Sequence, residues 1–116
     1  MILVDTSVWS GHLRARAPHL VDLLEAREVA SHPWIVGELA LGPGIRGPTV
    51  DDLLALPQLP VVSDPELLRF VRLHALRGVG WVDAQLLLAA LTARTPLWTF
   101  DRTLAELAAR FDIAVR

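Results

Sequence analysis

The chain opens on three short blocks in a fixed order: Ile2-Leu3-Val4, then Asp5, then Thr6-Ser7-Val8-Trp9. The apolar run is too short and too β-branched for a helix and reads as a strand buried on both faces. Asp5, Thr6 or Ser7 then caps a helix in which Val8, Trp9 and Leu13 fall at helical spacing. Strand, polar turn and helix together begin an α/β unit, and open α/β sheets bind ligands at the carboxyl ends of their strands. Asp5 stands at such an end, where it is either an ordinary helix cap or part of a site.

The same alternation continues to the end of the chain. Strands are expected at residues 2–4, 29–31, 59–62, 96–100 and 113–115. Helices are expected over 7–14, from Pro18 past Leu24, from Pro33 to Leu41, over Leu53–Leu56, from Ser63 to a stop at Gly78-Val79-Gly80, over 81–93, and over Leu104–Phe111. Leu67, Phe70, Val71, Leu73 and His74 are expected to face inward, and 86–91 is apolar on every side, which marks a deeply buried helix. Gly42 to Pro48 reads as a loop from its turn residues. Regular alternation of this kind argues a mainly parallel sheet with helices on both faces. The 116 residues suit one α/β domain spanning 1–116.

Several function classes are excluded by what is missing. There is no cysteine, hence no disulfide framework and no thiolate metal site, which fits a reducing compartment. No basic leader precedes the first apolar run, and the longest apolar stretch, 79–93, is interrupted by Asp83 and Gln85 and is too short to span a bilayer. A cytoplasmic protein with no membrane association is expected. All 11 basic residues are arginine, so a P-loop lysine and Schiff-base chemistry are absent, and a phospho-acceptor domain, which needs a lysine, is disfavoured. The net charge of −2 gives no overall basic footprint.

Four carboxylates stand apart from the other acidic residues, which cluster at helix starts or beside other charges. Asp5 is the only charged side chain in residues 1–13. Glu38 is the only one between Glu28 and Arg46, Asp83 the only one from Gly78 to Ala93, and Asp101 ends an apolar strand with only Arg102 beside it. A lone carboxylate in an apolar stretch costs several kcal/mol unless it is paired, protonated or bound to a cation. One shared acidic pocket at the carboxyl edge of the sheet would account for all four. Clustered carboxylates raise one another's pKa, and an all-oxygen set without lysine is best neutralised by Mg²⁺ or Mn²⁺. Such an ion activates water and stabilises charge on a phosphodiester, so hydrolysis of a nucleic-acid backbone leads. The alternative is a non-catalytic module that holds a partner through the same pocket. Thr99, two residues before Asp101 on a strand, and Ser7, near Asp5, are supporting candidates. Gln85 reads as a helix side chain with a local partner. The four histidines (12, 19, 32 and 74) lack ligand spacing, and the tryptophans (9, 34, 81 and 98) read as core or interface.

Val4-Asp5-Thr6-Ser7-Val8-Trp9, Gly37-Glu38-Leu39, Gly80-Trp81-Val82-Asp83-Ala84 and Thr99-Phe100-Asp101-Arg102, in this order and spacing, resemble a PIN-domain ribonuclease, more narrowly the VapC toxins of VapBC toxin–antitoxin pairs. The resemblance runs end to end. It implies a five-stranded parallel sheet flanked by helices, a Mg²⁺- or Mn²⁺-dependent endoribonuclease acting on RNA, a homodimer, and inhibition by a VapB-type antitoxin. It implies that Asp5, Glu38, Asp83 and Asp101 are the catalytic acidic quartet, with Asp5, Asp83 and Asp101 as metal ligands and Thr99 as the hydroxyl beside the fourth. Members often carry another acidic residue just after that fourth Asp; here Arg102-Thr103-Leu104 follows instead. With no lysine, an RNA track would be built from arginine, and Arg14, Arg16, Arg46, Arg72, Arg77 and Arg102 are the candidates.

Overall fold

The computed structural model describes residues 1–43 and 47–115. Strand β1 (Ile2–Val4) lies between β2 (Val29–Ala30) and β3 (Leu97–Trp98), and both pairings are parallel. Leu3 is opposite Ala30 on one side and Leu97 on the other, and Val4 is opposite Trp98. Leu3 and Val4 are fully buried, as a run without polar alternation requires.

Seven helices complete the described residues: α1 (Thr6–Arg14), α2 (Pro18–Glu25), α3 (Pro33–Leu41), α4 (Gly47–Leu54), α5 (Asp64–Leu73), α6 (Trp81–Thr92) and α7 (Arg102–Arg110). Apart from α2, they pack in two groups, α1 with α3 and α3 with α4, then α5 with α6 and α6 with α7. Helix α6 buries Ala84, Gln85, Leu86, Leu87, Ala89 and Ala90, as its all-round apolar sequence anticipates. None of the helices among the described residues is long and apolar enough to cross a membrane.

Of the five expected strands, three form among the described residues. In place of the other two there are single parallel bridges on the outer flanks, one at Gln58 with Ser31, just before 59–62, and one at Ala114 with Leu97. The reason is clearest at 59–62. The Val62 N–H donates to Oε1 of Gln85 at 2.7 Å, and Nε2 of Gln85 donates to the Val62 carbonyl at 2.9 Å. A side-chain amide thus takes over what a neighbouring strand would have done. The partner of Gln85 is therefore 23 positions away rather than local.

Helix ends also differ from expectation. Four helices close on a non-glycine residue at positive φ: Arg27 (58°), Ala75 (51°), Arg94 (52°) and Asp112 (61°). Each makes the same pair of closing bonds, as in α5, where Ala75 N–H reaches the Arg72 carbonyl at 3.3 Å and Leu76 N–H the Val71 carbonyl at 3.0 Å. Leu76 is buried and turns the chain inward, so α5 ends before the Gly78-Val79-Gly80 stop. Leu73 is 74% exposed, against expectation. It lies about 240° around the helix from buried Leu67. The loop read at 42–48 is shorter, because α4 begins at Gly47.

His32 caps α3, its Nδ1 accepting from the Trp34 N–H at 3.0 Å. Burial pushes its pKa below the ordinary imidazole value, against a weaker upward pull from Gln85, which keeps the ring neutral and Nδ1 free to accept.

Two consequences are measurable by urea unfolding. Gln85→Leu leaves both polar groups of Val62 buried and unpaired, and should lower stability by about 2–4 kcal/mol. Ala75→Gly removes a Cβ from a left-handed conformation and should raise stability by about 0.5–1 kcal/mol; no change there would mean that the turn carries no strain.

Candidate active site

The parallel register sets the site. The Asp5 N–H donates to the Trp98 carbonyl at 2.9 Å, so the residues after β1 and β3 leave the sheet side by side at its carboxyl edge. Asp5 caps α1 and is 4% exposed. Its Oδ2 accepts from the Ser7 hydroxyl at 2.7 Å, the Thr99 hydroxyl at 2.8 Å and the Ser7 N–H at 3.3 Å. All three donors meet one oxygen; among the described residues none meets Oδ1. The buried carboxylate is thus oriented as well as solvated, with its second oxygen left for something else.

Ser7 and Thr99 also tie the two loops together. The Phe100 N–H donates to Oγ of Ser7 at 2.9 Å, and the Asp101 N–H donates to Oγ1 of Thr99 at 3.0 Å. Asp101 caps α7, its Oδ1 accepting from the Leu104 N–H at 2.8 Å, and is exposed. Capping and membership of a site are therefore not alternatives for Asp5 and Asp101, since each carboxylate has two oxygens.

Helices α3 and α6 bring the other two carboxylates. Glu38 is exposed in the second turn of α3, where its Oε1 accepts from the Thr6 hydroxyl at 2.9 Å. On sequence grounds Thr6 is only one of three candidate helix caps; its place one residue after Asp5 is the signal that would have linked it to the site. Asp83 lies in the first turn of α6 and is half-buried. Its pKa is pushed up to about 6, first by burial and then by the charges of Asp5, Asp101 and Glu38. The four carboxylates isolated in the sequence therefore share one electrostatic field in the fold.

Their fit to a cation can be judged from the donor set. Among the described residues, no three histidine or carboxylate groups form a ready-made metal cage. Mg²⁺ does not need one, because it keeps several waters and uses one or two protein carboxylates. An oriented Asp5 with one open oxygen, beside three further carboxylates, suits that mode of binding. Between α1 and α3, next to this cluster, lies a groove of about 320 Å³ whose lining includes Thr6, Ser10, Arg14 and Glu38.

The remaining candidates are dispersed. Arg102 is paired with Glu106 at 3.2 Å. Arg16, Arg72 and Arg77 are exposed, and Arg46 lies outside the described residues. Trp9 is in the core, whereas Trp81 is 44% exposed. His12 accepts from the Ala17 N–H at 3.0 Å, His19 packs on Trp98, and His74 packs among Phe70 and Phe111.

The raised Asp83 gives a pH-dependent prediction. Its value rises from 3.8 to about 6 on folding, so the folded protein binds the proton more tightly and loses stability as pH rises through that window. Metal-free Asp83→Asn should therefore melt higher than metal-free wild type at about pH 7.5, by up to about 1 kcal/mol once solvent screening is allowed for, and match it near pH 4. Equal melting at both pH values would mean that the four carboxylates do not repel one another.

Comparison with known proteins gives three matches. The PIN domain family profile matches residues 2–110. The chain is similar to the protein named Ribonuclease VapC32 in two strains of Mycobacterium tuberculosis, CDC 1551 / Oshkosh and H37Rv. Each is 48% identical over 119 residues, covering 99% of this chain and 96% of the relative. Among solved structures, PAE2754 from Pyrobaculum aerophilum superposes with a TM-score of 0.60 at 21% identity, over 96% of this chain and 94% of that one, a likeness of fold alone.

Proposed function

Because the chain belongs to the PIN-domain family, in its VapC branch, we propose that it is an endoribonuclease, the toxin of a toxin–antitoxin pair, and that Mg²⁺ or Mn²⁺ supports its activity. The observation that supports this reading is that, beyond the effect of burial, Asp5, Asp101 and Glu38 all raise the pKa of Asp83, while Asp5 is oriented on one oxygen and open on the other. In this reading Asp5, Asp83 and Asp101 hold the cation and Glu38 completes the acidic set. The ion, when bound, supplies an activated water and stabilises charge on the phosphodiester.

The chain's own residues do the positioning. Ser7 and Thr99 keep Asp5 in one orientation, so that little rearrangement is needed when a ligand arrives. Their bonds to Phe100 and Asp101 fix the loop after β3 relative to the start of α1. Thr6 holds Glu38 towards the same edge. Asp83 carries a proton more readily than an ordinary carboxyl, and would give it up where a bound cation supplied positive charge.

RNA in the cytoplasm is the proposed substrate, a VapB-type antitoxin the proposed inhibitor and a second copy of the chain the proposed partner. A non-catalytic module that holds a partner's cationic side chain in the same pocket is the competing reading.

The test is cleavage of short single-stranded RNA with Mg²⁺ or Mn²⁺. Asp5→Asn and Asp83→Asn should each lower the rate by at least ~10²-fold while far-UV circular dichroism is unchanged. Chelation should abolish cleavage in wild type and added ion restore it. Cleavage that survives both substitutions overturns the shared-site reading; partner binding without turnover on any RNA would favour the binding module.

A further inference from the structure

The sequence offers six arginines for an RNA track without ranking them; among the five that are described, the fold separates one from the others. Arg14 lines the groove between α1 and α3 that also contains Glu38. Thr6, Ser10, Leu13 and Arg14 recur at the spacing that puts side chains on one face of a helix, and this face of α1 forms one wall. Leu39 and Pro43 line the other. Among the described residues, neither the Arg14 guanidinium nor the Ser10 hydroxyl is engaged in a hydrogen bond or ion pair. Arg14 and Glu38 border the same cavity, and no salt bridge joins them among the described residues.

The cavity is at the lower end of the sizes that enclose small ligands. Its apolar surfaces at Leu13 and Pro43 suit the faces of a planar ring, and Arg14 and Ser10 present donors. Of the common bases, guanine matches best. Its O6 and N7 are adjacent acceptors that an arginine fork bonds in bidentate fashion, whereas adenine presents a donor in place of O6. In single-stranded RNA the base edges are free to be read in this way.

Resting on the nuclease reading above, we propose that this groove is the base-specificity subsite of the enzyme and that Arg14 selects guanine at one position flanking the scissile phosphate. Arg14 acts here as a specificity residue that touches a neighbouring base, and Ser10 assists it.

The experiment is sequencing of the cut ends after limited digestion of a randomised single-stranded RNA pool with Mn²⁺, using wild type, Arg14→Ala, Arg14→Lys and, as a control, Arg69→Ala at an exposed position on α5. Wild type should favour guanine at one position beside the cut. Arg14→Ala should lower cutting beside guanine by about 10- to 100-fold relative to cutting at other sites, which removes the preference. Arg14→Lys, which keeps the charge but not the fork, should lose most of the discrimination, and Arg69→Ala should keep all of it. The proposal fails if wild type shows no guanine preference, if the preference survives Arg14→Ala, or if Arg14→Ala and Arg69→Ala slow every sequence alike.

A second readout separates this proposal from the nuclease reading. Fluorescence anisotropy with Asp83→Asn protein compares guanine-bearing and adenine-bearing oligonucleotides without turnover. If wild type cuts no RNA in the pool, the nuclease reading fails, and an Arg14-dependent preference in binding would still assign the groove to guanine. Absence of that preference overturns the subsite. Loss of partner-protein binding in Arg14→Ala with unchanged RNA selectivity would assign the groove to protein and also overturn it.

Discussion

A carboxylate almost wholly withdrawn from water must be given donors, and most of this site is arranged around meeting that need for Asp5. Two of its three donors come from its own helix start, but the third is the hydroxyl of Thr99, 94 positions away in the chain. That bond exists only because β1 and β3 run parallel and in register, with the Asp5 N–H on the Trp98 carbonyl. The strand pairing therefore places Thr99 and Asp101, and the hydroxyl network then fixes their orientation. One constraint on a single buried charge links the centre of the sheet to the geometry of its carboxyl edge.

The same edge concentrates negative charge at some cost to the fold. Asp83 is disfavoured as an anion by burial and by three neighbouring carboxylates, and no lysine is present to relieve it. Folding tolerates this because two members, Asp5 and Asp101, also cap helices, and their placement at helix starts offsets part of the repulsion. The remaining members differ in exposure: Glu38 reaches solvent and Asp83 only partly does. A penalty of this kind would be relieved by added positive charge, which supports the cation binding proposed above.

Around the site, the chain uses side chains where longer strands or glycines would ordinarily serve. Gln85 satisfies both backbone groups of Val62 from inside α6, which joins the buried helix to a segment that does not enter the sheet. Four helices turn back on non-glycine residues in the left-handed region, each followed by a segment that enters the core or the sheet flank. Strain at those turns is small beside the burial gained by Leu76, Leu97 and their neighbours.

The sequence by itself determined the element order, the central strand, the buried helix α6 and the identity of the four isolated carboxylates, because each rests on local signals: an unbroken apolar run, a helix-start residue, a charge without charged neighbours. It could not show that single bridges would stand in place of the strands expected at 59–62 and 113–115, since whether a backbone group pairs with a strand or with Gln85 is a long-range outcome. Nor could it find the left-handed helix ends, where no glycine or asparagine marks the turn. Only the tertiary structure decided that Ser7 and Thr99 share one oxygen of Asp5, that Thr6 holds Glu38, and that Arg14, alone among the described candidate arginines, borders the groove beside the acids. The physical reason is common to all of these. Sequence periodicity reports which face a residue occupies on its own element, whereas a site is made where faces of different elements meet, and that is set by packing and register across the whole chain.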